Sequence, residues 1–306
     1  MTEFDPVGGF TARRDGVVSA AQALSVGFSR DQIRHLVRSG RWTRVARGRF
    51  VPAAEVDAVA LRRARIRAAV ASLGPGAVAV LDTAAELHGI GGLRVGSAIH
   101  VSVPVDRPRP QRRTGELVVH QLTLDRSRDL CTLAGIPATT PLRTVADVIL
   151  RVDRYPAVCV VDSAVNRRLV TDDDLAAIPA LITGRRGAVA ARRFLAEADG
   201  RAQSPLETRT RLRCVDGGVP PDVLQLEVRD DDGYLLGVGD LGWRSARLIA
   251  EADGRAPHRT PAALFEDRIR QNRLVNAGWR VLRFTWSDTL RPDYIPAAVH
   301  SALRPH

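Results

Sequence analysis

Between residues 203 and 304 the apolar pattern switches from helical to strand spacing and back in a fixed order. That order restricts the fold more than any other feature of the sequence. SPLETRTRLRCVDGG reads as a helix, with Ser204 as N-cap, Pro205 in the first helical position and Gly217 near the end. QLEVR, GYLLGVGDLGW and ARLIAEADG alternate or run continuously apolar, as strands do. TPAALFEDRIRQNRLVNAG is a long helix, WRVLRFTW a strand, and RPDYIPAAVHSALR a terminal helix opened by Arg291-Pro292. Three strands, a helix and a fourth strand imply a crossover between RLIAEAD and VLRFTW. The Leu248–Ala252 strand is therefore expected inside a sheet and parallel to Val281–Phe284. Trp279 and Trp286, flanking the last strand, are expected in its core.

The first fifty residues carry an independent pattern. Ser19 can cap a short helix over AAQALSVG, and Ser29 a second over SRDQIRHLVRSG, where Ile33, Leu36 and Val37 share one face and Gly40 closes the end. RWTRVARGRFVP then alternates, Trp42, Val45 and Phe50 interleaving with Arg41, Arg44, Arg47 and Arg49, and Gly48 supplies a tight turn. Helix, helix, basic hairpin is the layout of a winged helix-turn-helix. Next comes a helix in EVDAVALRRARIRAAVASLG, then a mixed stretch. Its strands are IHVSVPV and GELVVHQLTL, with the basic loop RPRPQRRTG between them, and Thr140-Pro141 opens a helix at PLRTVADVIL. YPAVCVVDSAVNRRL, TDDDLAAIPALI (with capping-box spacing at Thr171 and Asp174) and GRRGAVAARRFLAEADG are further helices. The organisation is a winged-helix domain over 1–53, a mixed region over 54–200 and an α/β domain over 201–306, hence α/β locally and α+β overall. A length of 306 residues suits about two domains of roughly 150.

Lys+Arg is 45 against Asp+Glu 34, a net charge of +11, and every basic residue counted is arginine. A folded chain with this excess expects a polyanion, most often nucleic acid. Arg34, Arg38, Arg41 and Arg44 are the candidate phosphate contacts, with the second helix in the major groove. The alternative is a solvated basic face on a protein-interaction module. No apolar run reaches the roughly 18 residues of a membrane span, and the N-terminus lacks the apolar core of a signal peptide, so a cytoplasmic protein without membrane contact is expected. Cys131, Cys159 and Cys214 are too widely spaced for a metal knuckle and read as small core residues.

The acids of the last hundred residues carry the possible chemistry. Asp240 ends one strand, Glu251 lies in the next, and Asp253, two residues on, points to the same face as Glu251. Carboxylates on neighbouring strands suit Mg²⁺, a hard cation that takes oxygen ligands and activates water at a phosphodiester. Asp240 and Glu251 are the candidate metal ligands, and Glu207 can add a ligand or orient water. Each has a plainer reading. Ser204-x-x-Glu207 is a capping-box pattern, Asp240 and Glu251 can pair with Arg247 or Arg268, and Asp253-Gly254 is a turn dipeptide. His258 can accept a proton or be incidental, and Arg270 and Arg273 read as a solvated helix face.

SPLETRTRLR, GVGDLGW, RLIAEADG, FEDRIRQNRLVNAGW and RVLRFTW, over about residues 203–290, resemble the PD-(D/E)xK nuclease superfamily, in its branch similar to very-short-patch-repair endonucleases. The resemblance implies a restriction-endonuclease-like mixed sheet flanked by helices. It also implies Mg²⁺-dependent hydrolysis of DNA, with Glu207, Asp240, Glu251 and Asp253 as catalytic residues. The sequence departs from that pattern where lysine should follow the glutamate by two: the position is Asp253, and the chain contains no lysine. Arg268 can supply positive charge but is too basic to take a proton. DGVVSAAQALSVGFSRDQIRHLVRSGRWTRVARGRFV resembles the winged-helix domain of AbiEi-type antitoxins. That implies a non-enzymatic regulator of transcription, with DNA and a cognate toxin, or further copies of itself, as partners.

Overall fold

The computed structural model describes residues 16–46, 48–52, 57–94, 96–107, 116–254 and 261–304. The chain is a mixed α/β protein that divides into two compact units, Met1–Gly89 with Arg94–Thr144, and Ile90–Leu93 with Val145–His306. The division falls within the 54–200 segment. RPRPQRRTG lies almost wholly outside the described residues, as does His258.

The first unit opens with β1 (Val18–Ser19), α1 (Ala20–Ser25), α2 (Arg30–Arg38), β2 (Trp42–Ala46) and β3 (Arg49–Pro52). Ser19 and Ser29 cap the two helices as expected. Each also receives a return bond, Gln22 and Gln32 accepting from the capping residue's own N–H. The three strands pair antiparallel in the order β1-β3-β2, and the turn of the wing needs Gly48 at φ 67°. Val18, Ala23, Ile33, Trp42 and Phe50 are buried together. Trp42 sits 5.4 Å from Phe28 and 5.8 Å from Phe50, ring centre to ring centre, so a tilted aromatic cluster ties the turn before α2 to the wing.

After α3 (Ala58–Ser72) come β4 (Val78–Ala79), α4 (Leu81–His88), β5 (Ile99–Ser102), β6 (Leu117–His120), β7 (Leu130–Leu133) and β8 (Ile136–Thr139). They form a five-stranded mixed sheet in the order β6-β5-β4-β8-β7 over a core of Ile66, Val70, Ile99, Val101 and Ile136. The β7–β8 hairpin is not marked by the usual turn residues of the sequence. Its two turn residues, Ala134 and Gly135, both take positive φ, 46° and 76°, where asparagine or glycine is the usual first residue. Alanine there conceals the turn.

Across the division runs α5 (Pro141–Ile149). The second unit continues with α6 (Arg154–Asn166), α7 (Asp172–Leu181), α8 (Ala188–Ala196) and α9 (Pro205–Asp216). Then come β9 (Val223–Arg229), β10 (Leu235–Trp243), β11 (Leu248–Ala252), α10 (Pro261–Asn276), β12 (Arg280–Phe284) and α11 (Tyr294–Leu303). The sheet order is β12-β11-β10-β9, with β9, β10 and β11 antiparallel and β11 parallel to β12, as the sequence order required. On one face Leu241, Trp243, Leu248, Ala250 and Phe284 pack with Cys214 of α9 and Ile295 and Val299 of α11. On the other, Leu226, Val228 and Ile249 pack with Leu274 of α10. Trp279 joins that second cluster, but Trp286 is 47% exposed, contrary to expectation, because the chain leaves the sheet after Phe284.

Helix α9 is pinned to α6 by a buried ion pair. Asp162, 1% exposed, accepts from Arg211 Nη2 at 3.0 Å, from the Thr208 hydroxyl at 2.8 Å and from the Asp199 N–H at 2.7 Å. Asp162→Ala strands the Arg211 charge and is expected to cost about 3–5 kcal/mol in urea unfolding. A loss below about 1 kcal/mol would mean that the pair does not hold the two helices together.

Candidate functional site

Two places gather the residues singled out from the sequence. On the winged helix, Ile33 turns into the core and so sets the phase of α2, which leaves Arg34 and Arg38 outward. Arg41, just before β2, and Arg44, within it, are exposed while Trp42 between them is buried, so all four arginines reach solvent. Arg34 pairs with Asp31 one turn earlier, while Arg38, Arg41 and Arg44 have no carboxylate partner among the described residues. Arg30 and His35, also exposed on α2, extend the same basic surface. The arrangement presents a helix and a strand edge with positive charge that, of these four arginines, is offset at Arg34 alone, by Asp31.

The second place is a cavity of about 630 Å³ in the second unit, and Glu207, Asp240, Glu251 and Asp253 all line it. Glu207 stands in the first turn of α9, where its N–H donates to the Ser204 hydroxyl at 3.2 Å. Its carboxylate does not return to Ser204. It accepts from the Gln203 N–H at 2.8 Å and from Gln225 Nε2 at 2.9 Å, so the capping box is only half made. Asp240 lies where the β9–β10 ladder skips a pair, opposite Gln225, whose backbone is left-handed at φ 53°. Asp240 Oδ2 accepts from the Ala252 N–H at 2.8 Å, taking the place of a ladder bond beyond Leu241–Ala250. Asp253 donates its N–H to Phe284 O at 2.8 Å, and Gly254 closes a turn onto Ala252, so Asp253 both begins a turn and lines the cavity.

Glu251 is 7% exposed and held by two guanidinium groups, Arg270 Nη1 at 2.8 Å and Arg283 Nε at 3.1 Å. The same two arginines grip Asp267, Arg270 Nη2 at 2.8 Å and Arg283 Nη2 at 3.0 Å. Glu251, Arg270, Asp267 and Arg283 thus close a four-membered ring of alternating charge. The expected partners of Glu251 were different, and the helix phase gives the reason. Among the residues of α10 whose burial is described, Leu274 is the fully buried one, so positions 267 and 270 face the sheet with it while Arg268 points to solvent. Arg270 is therefore no solvated face residue. Arg283 reaches Glu251 through register, since the two sit opposite each other in the parallel β11–β12 ladder.

Burial pushes the carboxyl groups of Glu207 and Asp240 above their ordinary values, and neighbouring acids add to it, Asp240 acting on Glu207 and Glu251 on Asp240. A carboxyl raised in the folded state lowers stability above its folded-state value and has no such effect below its ordinary one, 3.8 for aspartate. Asp240→Asn, which keeps an acceptor for Ala252, is accordingly expected to melt higher than the parent at pH 7. The difference should disappear as pH falls below about 4. Melts of both proteins at the two pH values check this, and an advantage that grows at low pH would contradict it.

A divalent metal does not fit this cavity as it stands. Both Glu251 oxygens are committed to guanidinium groups, and two cations in contact with it oppose a third. Among the described residues no group of three or more His, Cys, Asp or Glu side chains is arranged to hold a metal ion. Nor is any helix among them long and apolar enough to cross a membrane.

Comparison with known proteins agrees with the N-terminal geometry. Residues 10–53 match the family described as "Transcriptional regulator, AbiEi antitoxin", and residues 77–197 match "AbiEi antitoxin C-terminal domain". Neither match reaches the acid cavity. Two Mycobacterium tuberculosis relatives are similar, uncharacterized proteins MT2308 (strain CDC 1551 / Oshkosh) and Rv2248 (strain ATCC 25618 / H37Rv). Each is 34% identical over 263 residues, 86% of this chain and 92% of the relative. The crystal structure of the RV2827C protein from the same organism has a TM-score of 0.46 and 17% identity, over 75% of this chain and 89% of that one. With both antitoxin segments matched in order over more than half its length, the chain belongs to the AbiEi antitoxin family of transcriptional regulators.

Proposed function

We propose that this protein binds the DNA upstream of its own gene and represses its transcription, as the antitoxin of a toxin–antitoxin pair in the cytoplasm. The observation that carries the reading is the basic surface of the winged helix, where Arg38, Arg41 and Arg44 have no carboxylate partner among the described residues. Helix α2 enters the major groove while Arg34, Arg38, Arg41 and Arg44 fix it on the phosphates. A reporter driven by that upstream DNA should be repressed by the parent and released by Arg34, Arg38 and Arg44 to alanine together. Repression undiminished in the triple variant would contradict the reading.

In this account the C-terminal sheet is a scaffold, with Glu251 held as a structural ion and not as a reacting group. A second reading, hydrolysis of DNA at the cavity, is favoured by one observation, the convergence of Glu207, Asp240, Glu251 and Asp253 on a helix, three-strand, helix, strand unit. The ion ring and the lack of lysine count against it.

A further inference from the structure

A row of alternating cations and aromatic rings leads away from the rim of the acid cavity. Trp286, which lines the cavity and is 47% exposed, lies under the guanidinium of Arg209 at 4.9 Å. Arg209 also covers Tyr155 at 5.0 Å, and Arg213, one turn along α9, covers the same ring at 4.7 Å. The guanidinium planes are fixed from behind. Arg209 Nε donates to the Thr289 hydroxyl at 3.1 Å and Arg213 Nε to the Thr289 carbonyl at 2.8 Å, and Thr289 is fully buried. At the far end Asp216 is already occupied, by Arg154 at 2.6 Å and by the Tyr155 hydroxyl at 2.6 Å. Arg209 and Arg213 have no carboxylate partner among the described residues.

We propose that Arg209, Arg213 and Trp286 form a binding surface for single-stranded nucleic acid, separate from the winged helix. Two fixed arginines without acid partners place paired donors where phosphates can meet them. The exposed indole, backed by Arg209, offers a ring on which an unpaired base stacks. A duplex keeps its base faces inside the stack, so the indole favours a single strand over a double one. The cavity lining carries five acids against two arginines, Arg270 and Arg283, and so disfavours phosphate; the strand's backbone therefore runs along Arg209 and Arg213 and a base faces Trp286.

The test uses the full-length protein with Arg34, Arg38 and Arg44 already replaced by alanine, so that its outcome is independent of the winged helix. Fluorescein-labelled fifteen-residue oligo(dT) and oligo(U), read by anisotropy across a salt series, separate DNA from RNA. Binding of either strand is expected to persist in this background with quenching of tryptophan emission. A labelled hairpin duplex should bind more weakly. Adding Arg209→Ala and Arg213→Ala should weaken binding about tenfold at 0.15 M salt and flatten the salt slope by about 1.4 units, at roughly 0.7 per contact on a single strand. Trp286→Ala, at an exposed site, should weaken it about tenfold or more and remove the quenching. Arg209→Lys with Arg213→Lys keeps the charge if the alanine pair fails to fold, and should restore the salt slope. Loss of all single-strand binding in the starting background, or affinity unchanged by both Trp286→Ala and the Arg209/Arg213 variants, would overturn the proposal. An acidic protein that binds the surface while neither oligonucleotide does would overturn it as well.

Discussion

Replacing Arg34, Arg38 and Arg44 with alanine is expected to weaken binding of the upstream duplex about a hundredfold at 0.15 M salt. The slope of log affinity against log salt should flatten by nearly three units. Each phosphate contact on duplex DNA releases about 0.9 of a counterion, so three contacts contribute roughly two powers of ten at that salt. The fold should be untouched. Arg38 and Arg44 are exposed and without ion pairs, and the Arg34–Asp31 pair is exposed on both sides, 71% and 82%. Such pairs are worth at most about 1 kcal/mol. Melts of the variant within a few degrees of the parent, together with the affinity loss, would tie the effect to DNA contact. Unchanged affinity and slope would place the DNA surface elsewhere on the chain.

The second large effect concerns the ion ring. Glu251→Gln removes one of the two anions shared by Arg270 and Arg283 and is expected to cost about 2–3 kcal/mol. That is below the usual 3–5 for a broken buried pair, since both arginines keep Asp267 and are 32% and 29% exposed. For a unit of this size the melting temperature should fall by roughly 5–10 °C. If Glu251 and Asp240 were paired metal ligands, relieving their mutual repulsion would leave the metal-free protein as stable as before or more so. The sign of the Glu251→Gln shift therefore separates a structural role from a liganding one. A structural Glu251 also leaves the parent's melting temperature without a rise in Mg²⁺.

What was readable in the sequence is what rests on local rules. Ser19, Ser29, Thr171 and Ser204 each cap the helix that follows, because a cap needs only its own next three residues. The order of strands and helices in the last hundred residues came from changes of period, and the parallel β11–β12 pair followed from it. The gathering of Glu207, Asp240, Glu251 and Asp253 was legible for the same reason. The partners of Glu251 were not, because they depend on the phase of α10 and the register of β12. Phe265 and Ile269 of α10 are 65% and 49% exposed, while Leu274 is buried and sets the phase. Trp286 is expected in the core because it flanks the last strand, but it lies past the end of β12 and beside Arg209.

The most direct measurement holds binding and chemistry in one tube. Labelled duplex carrying the gene's own upstream sequence is titrated with the full-length protein in Mg²⁺, read first by anisotropy and then on a denaturing gel, beside a scrambled duplex of equal length. Saturable binding at least a hundredfold tighter to the upstream duplex is expected, with both strands intact throughout. Equal affinity for the two duplexes, or cleavage that disappears in Asp240→Asn and Glu251→Gln, would contradict it.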